Sequence, residues 1–161
     1  MSSPTERLTE LGLALPAVAA PLAAYVPAVR VGDLVHTSGQ LPSVQGQLVA
    51  VGKVGADVSL ETGAECARQA TLNALAAIAA EAGGLDRVAR VVRVVVFVAS
   101  DPAFTGQARV ADGASQLLGD LFGGAGRHAR SAVGVAVLPL DSPVEVELVV
   151  EVTATPTIRP L

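Results

Sequence analysis

The run from Val144 to Val152, VEVELVVEV, fixes more about this chain than any other stretch. Strand side chains alternate between the two faces of a sheet. Val144, Val146, Leu148, Val150 and Val152 therefore share one face, and Glu145, Glu147 and Glu151 share the other. One face wants a core; the other carries carboxylates on an apolar background. A second β-branched run, Ser131 to Leu138, comes just before it and reads as another strand. The joint Leu138-Pro139-Leu140-Asp141-Ser142-Pro143 has turn chemistry at both ends. Arg130 stands at the mouth of the first strand. A guanidinium near a carboxylate-bearing strand suits capture of a small anion and steering of a water. The plainer alternative is that Arg130 pairs with Glu145 while the other acids are solvated.

The rest of the chain supplies layers for these strands. Pro4 to Leu11 reads as a short helix ended by Gly12, with Leu8 and Leu11 as its docking residues. Leu13 to Pro27 is irregular, because prolines at 16, 21 and 27 discourage a continuous helix. Ala28–Val31 and Leu34–Ser38 form a hairpin around Gly32-Asp33. A third strand is expected around Leu48 to Val51. Glu61 to Glu81 is the clearest helix, with Leu72, Leu75, Ile78, Ala79 and Ala82 at helical spacing. Thr62 and Glu65 have capping-box spacing, Ser59 competes for the cap, and Gly83-Gly84 ends the helix. Val88 to Val98 is a long apolar strand with Arg90 and Arg93 on opposite sides and, from Val91 onward, two faces to cover. A second helix follows Asp101-Pro102, from about Phe104 to Leu121.

This order predicts an α+β domain: a mixed sheet with two main helices on one face. The other face needs cover, and the remaining segments are too short to provide it. Assembly through sheet faces is the economical solution, with loop and strand-end residues in clefts between copies. The chain divides into an N-terminal extension with a short helix (1–24), the α+β domain (25–154) and a C-terminal tail (155–161). With no Trp, one Tyr and three Phe, the core must be built from small branched residues and alanine-rich helices.

Composition excludes several classes of partner. A net charge of −4 gives no electrostatic reason to bind nucleic acid or an anionic membrane. The single cysteine, Cys66, rules out an internal disulfide and argues against a cysteine metal cluster. No apolar run has the length of a membrane span and the N-terminus lacks signal-peptide character, so a cytoplasmic protein is expected. The glycine-rich pieces lack the dinucleotide and phosphate-loop patterns. His36 has no second ligand at metal spacing. Tyr25 either closes a pocket or packs on the proline-rich surface. Ser38, next to Gly39, either orients a ligand or forms a turn. Arg127 and His128 form either a pocket rim or a solvated loop cluster.

Two blocks together carry a family resemblance: Thr37-Ser38-Gly39-Gln40-Leu41-Pro42, and Arg130-Ser131-Ala132-Val133-Gly134-Val135-Ala136 followed by Leu138-Pro139 and Val144-Glu145-Val146-Glu147. The chain resembles the YjgF/RidA family of imine deaminases, once named L-PSP endoribonucleases, from Tyr25 to Val152. Its length and glycine-rich lead into Arg130 are more similar to a less characterised branch than to the compact deaminases.

The resemblance implies a chorismate-mutase-like fold, a homotrimer with clefts at subunit boundaries, and no cofactor or metal. It implies that Arg130 binds the substrate carboxylate and that Glu145 handles the hydrolytic water. Tyr25, Ser38 and Ala132 match pocket positions, and Asp112 falls near a position usually held by an amide. The implied reaction converts small 2-imino or 2-enamino carboxylates into 2-oxo acids and ammonia. Two departures matter: Ala132 stands where the compact deaminases have a cysteine, and Gly134 where they often have a bulkier, acidic residue. A noncatalytic protein that binds small carboxylates is the main alternative, and RNA cleavage a weaker one.

Overall fold

The computed structural model describes residues 2–18 and 24–153. The proposed tail, 155–161, lies outside them. Three α-helices and seven strands occur among the described residues: α1 (Pro4–Glu10), β1 (Ala28–Val31), β2 (Leu34–Thr37), β3 (Ser43–Val44), β4 (Gln47–Leu48), α2 (Leu60–Ala82), β5 (Val88–Ala99), α3 (Gln107–Phe122), β6 (Ala129–Val135) and β7 (Val144–Val152). The main sheet has the order β1-β2-β7-β5-β6; β3 and β4 form a separate ribbon. Only β5 and β6 run parallel in the main sheet, joined by the α3 crossover that a parallel pair needs. This is the expected mixed α+β sheet, with α2 and α3 on one face.

The alternation in β7 is realised in full. Val144, Val146, Leu148, Val150 and Val152 are buried with Val35, Val91, Val94, Val96 and Val98 beneath the two helices. Ala67, Ala70, Ala74 and Ala77 of α2 are buried in this aromatic-poor core, and side chains so small suit close approach of the helix. At the α2–α3 crossing, a Cβ on Gly113 would lie 2.0 Å from the Ala64 carbonyl oxygen. Ser59 caps α2 through its Oγ, which accepts from the Thr62 amide at 3.1 Å, and Gly83 ends it at φ 82°.

Several boundaries differ from expectation for definable reasons. Two bulges in β5, between Val88 and Arg90 and between Val91 and Arg93, each insert a residue. They place both Arg90 and Arg93 opposite open-face residues of β7, Glu151 and Val149, and not on opposite sides. β6 ends at Val135 and not at Leu138, because the chain turns into a 3-10 segment at Pro139–Asp141, where Leu140 and Asp141 take positive φ. The strand expected at Leu48–Val51 is the two-residue β4, and Val49 and Val51 are exposed. Helix α3 starts at Gln107, since Asp101 holds Ala103 and Phe104 in a turn first. Leu8 is buried, whereas Leu11 stays exposed.

Helix α1 is fastened to the domain. Its Ser3 and Glu6 complete a reciprocal capping box. Arg7 donates to the Leu121 carbonyl at 3.2 Å, and the Thr5 amide donates to Asp86 at 2.9 Å.

Candidate functional site

Arg130 sits on β6 opposite Val94 of β5. Val94 faces the helices, so Arg130 does too, and α3 meets it there. Nη1 of Arg130 donates to Asp112 Oδ1 at 2.8 Å and to Ser115 Oγ at 3.0 Å. The Arg130 side chain is 26% exposed and that of Asp112 is 50% exposed. Arg130 therefore pairs with Asp112, and the simple pairing with Glu145 does not occur. Nε and Nη2 of Arg130 have no partner among the described residues.

Glu145 sits on β7 opposite Phe97. Val94 and Phe97 are an odd number of residues apart on a regular part of β5, so they point to opposite faces. Within one chain, Arg130 and Glu145 consequently lie on opposite faces of the sheet. A single small ligand cannot bridge them there.

Glu145 is half-buried, and its carboxyl is pushed above the usual range, first by burial and then by neighbouring Glu147. The segment after β2 causes this burial. Gln40 and Val146 exchange backbone hydrogen bonds at 2.9 and 3.0 Å, which lays Gly39 directly over the Glu145 side chain. A Cβ on Gly39 would stand 1.7 Å from Glu145 Oε1. Gly39 thus admits a carboxylate of the chain itself.

Glu145 and Tyr25 line one cavity of about 960 Å³, together with Gly39, Leu41, Leu72 and Asn73. Tyr25 is 48% exposed at its mouth. Ser38 does not line it: its hydroxyl donates to the Val26 carbonyl at 2.6 Å and its amide to Pro27 at 2.8 Å. Ser38 thereby tethers the segment that carries Tyr25. Ala132, half-buried, shares the helix-facing side with Arg130. Beyond it Gly134 opens a recess of about 270 Å³, where a Cβ would stand 2.9 Å from Gln107 Nε2.

The structure therefore divides the candidate residues into two groups. Arg130, Asp112 and Ala132 form one; Glu145, Tyr25 and, through its hydroxyl and amide tethers to Val26 and Pro27, Ser38 form the other. Sequence reasoning missed Ser115, and it left His128 to a loop cluster although His128 is fixed by two hydrogen bonds. Ser115 lies three residues from Asp112, a spacing that puts both on one helical face. That spacing was the available signal.

A family model described as "YjgF/chorismate_mutase-like, putative endoribonuclease" matches residues 5–152. Protein TCP17 of Trypanosoma cruzi is 47% identical over 145 residues, covering 89% of this chain and 91% of its own. The crystal structure of Agrobacterium tumefaciens Atu1372, described as of unknown function, superposes with a TM-score of 0.87 at 40% identity, covering 93% of this chain and 92% of its own. Escherichia coli TdcF with bound serine superposes with a TM-score of 0.61 at 26% identity, covering 86% of this chain and 94% of its own.

Proposed function

The chain belongs to the YjgF/RidA, chorismate-mutase-like family, and on that premise we propose that it hydrolyses small 2-imino or 2-enamino carboxylates at clefts shared by two copies of a homotrimer. The observation that carries this reading is the separation of Arg130 and Glu145 onto opposite sheet faces. Each has what its role requires. Arg130 is held by one nitrogen and keeps Nε and Nη2 for a bidentate carboxylate contact. Glu145 is a half-buried acid with a raised pKa beside a cavity. Neither half suffices alone, and a second copy supplies the other half.

The helix-free face of the sheet supports assembly. Val95, Phe97, Val133 and Val149 lie there among Glu145, Glu147 and Arg93, only partly covered within one chain. The serine bound to TdcF is a small amino acid with a carboxylate, the kind of group Arg130 is suited to hold.

In the proposed reaction Arg130 of one copy fixes the substrate carboxylate. Water adds to the iminium carbon while Glu145 of the adjoining copy takes the water's proton. Glu145 then returns that proton to the amino nitrogen, the C–N bond breaks as the hydroxyl group gives its proton back to Glu145, and the carbonyl of the 2-oxo acid forms; the released ammonia takes that proton and leaves as ammonium. An enamine first takes a proton at carbon 3. Tyr25 borders the entrance. Asp112 orients Arg130 and does not contact the substrate, since two carboxylates would repel. Positioning and electrostatics supply the acceleration, and no cofactor or metal takes part.

Binding of a small carboxylate without turnover is the second reading, favoured by Ala132 and Gly134 where the compact deaminases carry larger functional groups. The RNA reading has neither a basic surface nor interleaved aromatics behind it. Neutral, soluble surroundings such as the cytoplasm suit the imine reaction; among the described residues no helix is long and apolar enough to cross a membrane. The test follows the decay of freshly generated imino acids with wild type and Arg130→Ala. Acceleration by wild type alone supports hydrolysis. Pyruvate binding without acceleration favours the binding protein.

A further inference from the structure

Arg130 ends a line of hydrogen bonds whose far end plays no part in the reaction above. His128 Nδ1 lies 2.5 Å from the Gly126 carbonyl oxygen. A carbonyl only accepts, so Nδ1 carries a proton. His128 Nε2 lies 2.9 Å from Ser115 Oγ. In the neutral ring with Nδ1 protonated, Nε2 can only accept, so the Ser115 hydroxyl donates to it. The serine lone pairs then remain turned toward Arg130 Nη1, 3.0 Å away. The other neutral tautomer would set two lone pairs against each other at Gly126.

From this geometry we propose that Ser115 and His128 are positioning residues for Arg130. His128 directs the Ser115 hydroxyl, and Ser115 with Asp112 pins Nη1, so that Nε and Nη2 are presented to a carboxylate. The proposal rests on the reading of Arg130 as the carboxylate anchor. Pinning matters because a free guanidinium must lose its side-chain freedom when it binds, whereas a held one has lost it already. The two pins also differ. Asp112 is an acid and opposes an incoming carboxylate; Ser115 is neutral and holds the same nitrogen without that repulsion. The connection joins two pieces of chain, α3 and the segment that runs from Gly126 into β6, at the site where one orientation of the arginine is needed.

The first measurement needs no variant. Nitrogen NMR of the wild-type protein at neutral pH should find the neutral His128 ring protonated at Nδ1, the reverse of the tautomer usual in solution. A ring protonated at Nε2 alone would overturn the proposal. The second measurement is pyruvate binding by calorimetry. Ser115→Ala should bind roughly tenfold more weakly, the size expected for one hydrogen bond to a charged group. Ser115→Thr should restore most of that loss. His128→Phe should weaken binding as well, and the double variant Ser115→Ala/His128→Phe should be no weaker than Ser115→Ala, because His128 acts through Ser115. His128→Phe, whose side chain lies outside the helices, serves if Ser115→Ala does not fold. Folded Ser115→Ala and His128→Phe that both bind like wild type, while Arg130→Ala does not bind, would sink this proposal and leave the anchor reading standing. Pyruvate binding that is absent from wild type or unchanged in Arg130→Ala would refute the anchor reading and the present proposal with it.

Discussion

Gly39→Ala should separate the chemistry of Glu145 from the stability of the fold. The added Cβ would stand 1.7 Å from Glu145 Oε1, 2.6 Å from its Cδ and 2.9 Å from its Cγ. All three atoms belong to the outer part of one flexible side chain, and Gly39 does not use a positive φ that would strain alanine. Relief therefore comes from swinging the Glu145 side chain, at a cost of about 0.5–1.5 kcal/mol for leaving its preferred rotamer. For a chain of this size that corresponds to a fall in melting temperature of roughly 2–4 °C per kcal/mol. The carboxylate meanwhile leaves the place from which it would reach a water. Imine hydrolysis by Gly39→Ala should fall as far as in Glu145→Gln, and combining the two should cost no further activity. Calorimetric melting and a stopped-flow imine assay on the same preparations decide the matter. A well-folded Gly39→Ala protein with full turnover would refute the role given to Glu145.

Gly113→Ala should behave in the opposite way. Its Cβ would lie 2.0 Å from the Ala64 carbonyl oxygen and 2.8 Å from the carbonyl carbon, and backbone cannot swing aside. Helices α2 and α3 must separate, so urea unfolding should show a loss at or above the upper end of about 1–3 kcal/mol. Glu145→Gln should stabilise the fold at neutral pH. Burial and Glu147 raise the Glu145 pKa, so the folded state holds its proton more tightly than the unfolded chain does. Stability is then fully present below the ordinary carboxyl pKa and is lost as pH rises through the raised one. The advantage of the glutamine variant should therefore vanish toward pH 4, in melting curves recorded across pH, and a gain that grew as pH fell would contradict the burial argument.

The alternation of Val and Glu from 144 to 152 made the two-sided character of the sheet legible, because period two is a local property of strand geometry. The α2 stripe was legible for the same reason. The side taken by Arg90 was not: two bulges in β5 shift the phase of alternation, and a bulge is set by the partner strand. The partner of Arg130 was missed for a related reason. Asp112 and Ser115 reach it only because the α3 crossover returns alongside β6, bringing together residues 18 and 15 positions apart. Ser38 shows the limit from the other side. Its place in the Thr37–Pro42 block was readable, but the use of its hydroxyl on the Val26 carbonyl depends on how the preceding segment lies. A glycine at position 39 of the sequence suggests room for a close approach to the backbone, and the group that fills this room is Glu145.

Subunit mixing tests the shared site most directly. Arg130→Ala and Glu145→Gln proteins, each inactive alone, are unfolded together, refolded as a mixture and assayed for imine hydrolysis. If each cleft takes Arg130 from one copy and Glu145 from another, random assembly of equal amounts leaves about a quarter of the clefts with both residues intact. Activity should return to roughly that fraction of wild type. A mixture as inactive as its two parents, with mixed assemblies demonstrated by mass spectrometry, would contradict a site built from two copies.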